Sequence, residues 1–223
     1  MKRFTILLLS FVGIMMSGCL VTSLHPFYKT NDKIFDRDLI GNWIDSDSSI
    51  WIIEPNKKSK EFMGPEFLDS TYLITYYEDE DAASYLKGTL FLLNGKKYVD
   101  FFPDDEGHFT TDMSEMHHIP VHTLARIASS KDSIMFFWFG EDWLNALFDG
   151  NRVRVEHETI DHGDYESRVL TADTDDLQKF VKKYMETESI QQQFDFAYAN
   201  NVEADEHVFL KLYPYEGPVK HSK

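Results

Sequence analysis

"YLKGTLFLLNGKKYVDFFP", residues 85–103, is the stretch that decides the fold. Asn94-Gly95 stands between two runs rich in aliphatic and aromatic side chains. A two-residue type I′ turn needs positive φ at both central positions, which Asn and Gly adopt at least cost. That turn pairs Leu93 with Lys96, Phe91 with Tyr98 and Leu90 with Val99 in an antiparallel hairpin.

Working outward, further short runs carry the same β signature. "LIGNWID" (39–45) and "SIWIIEP" (49–55) flank the turn-forming "SDS", and "TYLITYYE" (71–78) follows. Downstream, "VHTLARIA" (121–128) and "SIMFFWFG" (133–140) predict a second hairpin turning at Ser129 to Asp132. "NRVRVEHE" (151–158) and "SRVLTA" (167–172) predict two more strands, and "HVFLKLYPY" (207–215) a closing one. Helical spacing appears only late. "EDWLNALF" (141–148) gathers Trp143, Leu144, Leu147 and Phe148 on one side. "DTDDLQKFVKKYM" (173–185) sets Leu177, Phe180, Val181 and Tyr184 at i, i+3, i+4 and i+7. Its N-cap is Asp173 or Thr174, with acids at the positive end of the dipole and Lys182 and Lys183 at the other. "SIQQQFDFAYA" (189–199) predicts another helix. The fold class is mainly β (α+β): an antiparallel sheet, curled or closed into a barrel, with one or two amphipathic helices near the C-terminus.

The Gly-x-Trp of "LIGNW" is similar to the first-strand signature of lipocalins. The resemblance implies a lipocalin-like barrel with Trp43 at its closed end; the bland alternative is an ordinary core aromatic. "MFFWFG" (135–140) and "YVDFFP" (98–103) put aromatics on both faces of their strands. One face fills the core, and the other meets a helix, a ligand cavity or a partner. Trp43, Phe91, Phe101 and Trp138 are the candidate lining of such a cavity.

The chain opens with Met1, Lys2 and Arg3, then thirteen largely apolar residues, Phe4 to Met16, then Ser17 and Gly18. A basic start, an apolar run and small residues before a cut describe a signal peptide. As a helix the run rises about 20 Å, short of the roughly 30 Å hydrocarbon core. "MSGC" (16–19) resembles the lipobox of bacterial lipoproteins. That implies cleavage between Gly18 and Cys19 and acylation of Cys19, the single cysteine of the chain. Two or more acyl chains hold a protein firmly to its membrane. The expected organisation is a signal peptide over 1–18, a lipidated tether over 19–35 that docks through Phe27, Tyr28, Ile34 and Phe35, and one globular β-rich domain over 36–223. Along with "LIGNW", "TSLHPFY" (22–28), "PVHTLARI" (120–127), "DWLNALF" (142–148) and "LTADTDDLQKFVKKY" (170–184) look like one family of uncharacterised Gram-negative envelope lipoproteins. That resemblance implies location and single-domain organisation, and no chemistry. Leu20, rather than aspartate, after the cysteine points to the outer membrane, facing the periplasm.

The net charge is −16, and removing Lys2 and Arg3 with the leader takes it to −18. Such a chain is repelled by nucleic-acid phosphates and anionic headgroups, so nucleic acid is not an expected partner. The membrane is one, through the lipid.

The chemical motifs thin out on inspection. "HETIDH" places His157 and His162 five apart, about 140° round a helix, where the zinc-protease motif needs four. In "HHIPVH", His118 and His122 have helical ligand spacing, but Pro120 between them denies the helix; loop histidines, with His122 hydrogen-bonded inside the domain, are the reading. "DSDSS" from Asp45 lacks the glycine and glutamate of a calcium loop, and the acids Glu78 to Asp81 read as a solvated turn. No nucleophile elbow or phosphate loop occurs among the eleven glycines. No catalytic residue, metal or cofactor is assigned. The expected function is a lipid-anchored, periplasm-facing protein holding a small apolar ligand in a β cup. The alternative is a non-catalytic accessory subunit whose partner is another envelope protein.

Overall fold

The computed structural model describes residues 20–56, 71–78, 83–104, 119–200 and 207–218. In chain order the elements are β1 (Thr22–Ser23), β2 (Gly41–Ile44), β3 (Ile50–Pro55), β4 (Thr71–Tyr77), β5 (Ala83–Leu93), β6 (Lys96–Pro103), β7 (His122–Ser129) and β8 (Ile134–Phe139). Then come α1 (Glu141–Asp149), β9 (His157–Asp161), β10 (Glu166–Leu170), α2 (Thr174–Phe180), a π-helical turn (Val181–Met185), α3 (Glu188–Asn200) and β11 (His207–Pro214). Short 3-10 turns lie at Thr30–Asp32 and Arg37–Leu39.

Strands β2 to β8 pair antiparallel with their neighbours in sequence. β11 then inserts antiparallel between β8 and β2, and β6 pairs with β7, so eight strands close on themselves. The hairpin of β5 and β6 has the expected register, Leu93 opposite Lys96 and Leu90 opposite Val99. Asn94 and Gly95 take φ of 50° and 79°, as its turn requires. Beyond the barrel, β1, β10 and β9 continue the sheet from the first two residues of β7, with β1 parallel to β10.

Because side chains alternate, the closed sheet makes two cores. Along β8, Ile134, Phe136 and Trp138 point into the barrel, while Met135, Phe137 and Phe139 point outward. All six are buried. The outward set meets Leu144 of α1, Leu177 and Phe180 of α2, and Ile190 and Phe194 of α3 in the second core. The late helices therefore cover one outer wall of the barrel. α2 starts as its sequence specifies: the Asp173 carboxylate accepts from the Asp176 amide at 2.9 Å.

Two expectations need correction. Residues 151–156 do not enter the sheet, and β9 begins only at His157. The alternation of "RVRVE" records Val153 and Val155 turned into the outer core, not a strand ladder. Nor is the stretch from residue 20 to 35 a tether outside the globular fold. Leu20 bridges Gly140, the Val21 amide donates to the Phe139 carbonyl at 2.9 Å, and Val21, Ser23 and Phe27 are buried. Phe27 and Phe35 dock as expected, but the chain is part of the fold from Leu20 onward.

Candidate functional site

The two ends of the barrel differ. One end carries the Asn94-Gly95 turn and the β7–β8 turn, and residues 34–40 plug it. There the Ile34 amide donates to the Leu90 carbonyl at 3.0 Å, and Phe35 stacks on Tyr72 with centroids 5.3 Å apart. The Trp43 indole donates to the Leu39 carbonyl at 3.0 Å. Asp36 is the fastener. Its carboxylate accepts from Lys97 at 2.7 Å, from the Ser129 hydroxyl at 3.2 Å and from the Asp38 amide at 3.0 Å. Burial works to raise the Asp36 pKa, but the Lys97 ammonium and these donors outweigh it and hold the carboxyl below its usual value.

Toward the opposite end, inward-facing side chains become progressively exposed. On β11 the series is Leu212 at 0%, Leu210 part-buried and Val208 at 37%. On β4 it runs from Tyr72 and Ile74, both buried, to part-buried Tyr76. On β5, Leu90 is buried, Leu86 part-buried and Ser84 exposed. Trp51 and Trp138, at 7% each, are the most exposed of the buried inward-facing rings and lie on this side. Among the described residues, one end of the barrel is plugged and the inward side chains grow more exposed toward the other.

Aromatic rings floor this opening. Trp51 lies 4.7 Å from Tyr76 and 6.1 Å from Phe136 across the barrel. Phe101 lies 5.3 Å from both Phe136 and Trp138. The lower interior is thus filled by the protein's own rings, as an eight-stranded barrel permits.

Of the residues expected to line a cavity, Phe101 and Trp138 belong to this floor. Trp43 faces inward but sits in the plugged end, hydrogen-bonded to Leu39. Phe91 does not belong. It points outward into the second core, against Tyr28 and Tyr98. The hairpin register already contained this: pairing Phe91 with Tyr98 puts both on the face opposite to Val99 and Phe101. Trp51, Tyr76 and Val208 were missed. Trp51 follows from Trp43 once the two strands pair, whereas Val208 needs β11 to be placed between β8 and β2.

A second buried polar arrangement lies on the outer wall. Asp100 is 1% exposed, and its two oxygens meet His122 Nδ1 at 2.6 Å and the Phe27 amide at 2.8 Å. Burial raises the Asp100 pKa, against the lowering effect of the His122 ring and that amide. An aspartate orienting an imidazole is half of a nucleophile-activating device. Ser23 is the cross-strand partner of His122, but its hydroxyl is fully buried, donates to the Leu170 carbonyl and accepts from the His25 amide. It is in no position to attack a substrate. The pair instead ties β6, β7 and the Phe27 segment together, which is the internal hydrogen bond expected of His122.

The other motif residues serve local structure. Asp45 caps the β2–β3 turn, accepting from the Asp47 and Ser49 amides and the Trp51 indole. His157 bonds the Val155 carbonyl and His162 the Ser167 hydroxyl. His117, His118, most of the acidic run 78–81, and Gly18 and Cys19 lie outside the described residues. Among the described residues no group of three acidic, histidine or cysteine side chains is placed to hold a metal.

A closed antiparallel barrel of eight strands, plugged at one end by residues 34–40, defines the class as lipocalin-like. Helices are added against one wall. No protein-family model matches the chain, and no curated protein or solved structure matches it either.

Proposed function

We propose that this chain is a lipid-anchored protein of the bacterial envelope, held through acylated Cys19 in the outer membrane. It faces the periplasm and binds a small apolar ligand in the open end of its barrel, without catalysing a reaction. The observation that carries the binding reading is the exposure gradient: on strand after strand the inward side chains open toward one end, where Trp51, Tyr76, Trp138 and Val208 frame an apolar entrance. Concave, mostly apolar openings with a few polar groups are where small ligands bind. The lipobox at Met16 to Cys19 supports the anchor.

Tryptophan emission reads the ligand, because Trp51 and Trp138 border the opening. Titrating a medium-chain fatty acid into the detergent-solubilised protein is expected to quench or shift that emission saturably. Val208→Trp, a large ring at a site already 37% exposed, fills the entrance without disturbing the core. It should weaken binding about tenfold, equivalent to about 1.4 kcal/mol. Emission that ignores the fatty acid, or a Val208→Trp variant that binds it equally well, defeats the reading. The anchor is checked separately by mass spectrometry of the native N-terminus, which should begin at residue 19 and carry acyl mass.

A further inference from the structure

A groove of about 310 Å³ lies on the outside of the molecule, where residues 151–155 run past α2 and its π-helical turn. None of its lining residues belongs to a barrel strand, so it is separate from the open end. Val153 and Val155 turn into the core and form its base, leaving Arg152 and Arg154 exposed. Lys179 and Lys183, one helical turn apart, line the other side. Phe180 and Tyr184 form an apolar wall, with ring centroids 5.4 Å apart. The Tyr184 hydroxyl donates to the Arg152 carbonyl, which ties the two sides together.

The charge of this groove runs against that of the molecule. In a chain of net charge −16, four of the lining residues are cationic and Asp176 is the one carboxylate among them. Asp176 is engaged by Lys179 at 2.6 Å, and Asp173 and Asp175 act on the same lysine from nearby, with Asp175 itself paired to Lys29. Arg152, Arg154 and Lys183 have no carboxylate partner among the described residues. Carboxylates are abundant in this sequence, yet among the described residues three cations gather around one concavity without a carboxylate partner. A cleft lined by one sign of charge concentrates ions of the other. The π-helical turn Val181–Met185 sits at the same place, and such turns recur at functional sites. Asn151, at the groove's edge, holds φ at 54°.

We infer that this groove binds a phosphate-bearing anion. The guanidinium groups of Arg152 and Arg154 suit bidentate contact with phosphate oxygens, the two lysines add point charges, and Phe180 and Tyr184 offer a surface to the uncharged body of the ligand. The phosphate comes either from a soluble metabolite or from a lipid headgroup, and the test separates the two.

The detergent-solubilised full chain is titrated calorimetrically with inorganic pyrophosphate and, in a parallel arm, with dihexanoyl phosphatidylglycerol. Saturable binding is expected in at least one arm, and that arm names the source. Affinity should fall as salt rises from about 50 to about 300 mM, as for other charge-driven contacts. The double variant Arg152→Ala, Arg154→Ala should lose at least about tenfold in affinity, with Arg152→Lys, Arg154→Lys losing less. Its thermal transition should not move, because both side chains are exposed. No binding in either arm overturns the proposal, and so does undiminished binding by the alanine variant. Neither result touches the barrel's open end, which the fatty-acid titration reads.

Discussion

Asp36 joins three parts of the chain that are far apart in sequence: its own plug segment, Lys97 at the start of β6 and Ser129 at the end of β7. Tyr72 reinforces the junction, accepting from the Asp36 amide at 2.7 Å and donating to its carbonyl at 3.0 Å. The carboxylate is mostly shielded, so these contacts outweigh an ordinary surface pair. Replacing it by alanine strands Lys97 and Ser129 and should cost about 2 kcal/mol in urea unfolding at neutral pH. The pH dependence follows from its lowered pKa. A carboxyl with a lower pKa in the folded than in the unfolded state gives stability that is complete above the unfolded value, about 3.9. That contribution is lost as pH falls through the folded value. The gap between wild type and Asp36→Ala should therefore shrink in unfolding curves taken below pH 3.9. A gap that stays constant across that window would show the carboxylate's charge to be irrelevant to the plug.

At the scale of the element, the β5–β6 hairpin tests the turn chemistry free of packing. Gly95 has φ of 79°, and a Cβ added there meets nothing within 4 Å. Gly95→Ala should then cost about 1 kcal/mol through backbone strain alone, read as a lowered urea midpoint with an unchanged slope. A neutral substitution would mean that the turn relaxes to another type. This hairpin was legible in the sequence because everything it needs is local: two residues that tolerate positive φ and an alternating pattern on each side. The same holds for α2, whose cap and apolar spacing lie within one stretch. Residues 151–156 misled because alternation reports which side chains are buried, not what the backbone pairs with. Val153 and Val155 are buried against helices distant in sequence, so the strand pattern appeared without a strand. The candidate site was half legible for a similar reason. Phe101 and Trp138 could be picked out as aromatics on two-faced strands. The exclusion of Phe91 needed the register to be followed residue by residue. Val208 and the cationic groove depend on where β11 and α2 return to the barrel, a long-range matter.

For the whole molecule, the decisive relation is between the anchor and the open end. Leu20 bridges Gly140 just past β8 and packs against the barrel-interior cluster. β1 meets β7 at Thr123 and His122, where that strand begins. Both points lie on the open rim. Cys19 is one residue away, and one residue spans at most about 3.6 Å. With Cys19 acylated as proposed, the lipid chains start beside the opening, and the barrel has no slack with which to lift away. The net charge of the body is repelled by anionic headgroups, so the short link to the anchor is what holds this rim at the membrane. The entrance framed by Trp51 and Trp138 then faces the bilayer. In vesicles containing phospholipids brominated along their acyl chains, tryptophan emission of the anchored protein should be quenched. A flexible spacer of about ten Gly and Ser residues between Cys19 and Leu20 gives a root-mean-square reach of about 18 Å. It should relieve most of that quenching while leaving the protein bound to the vesicles. Equal quenching of the two, with equal vesicle binding, would mean that the open end points elsewhere. An apolar ligand would then have to arrive through the periplasm instead of directly from the membrane.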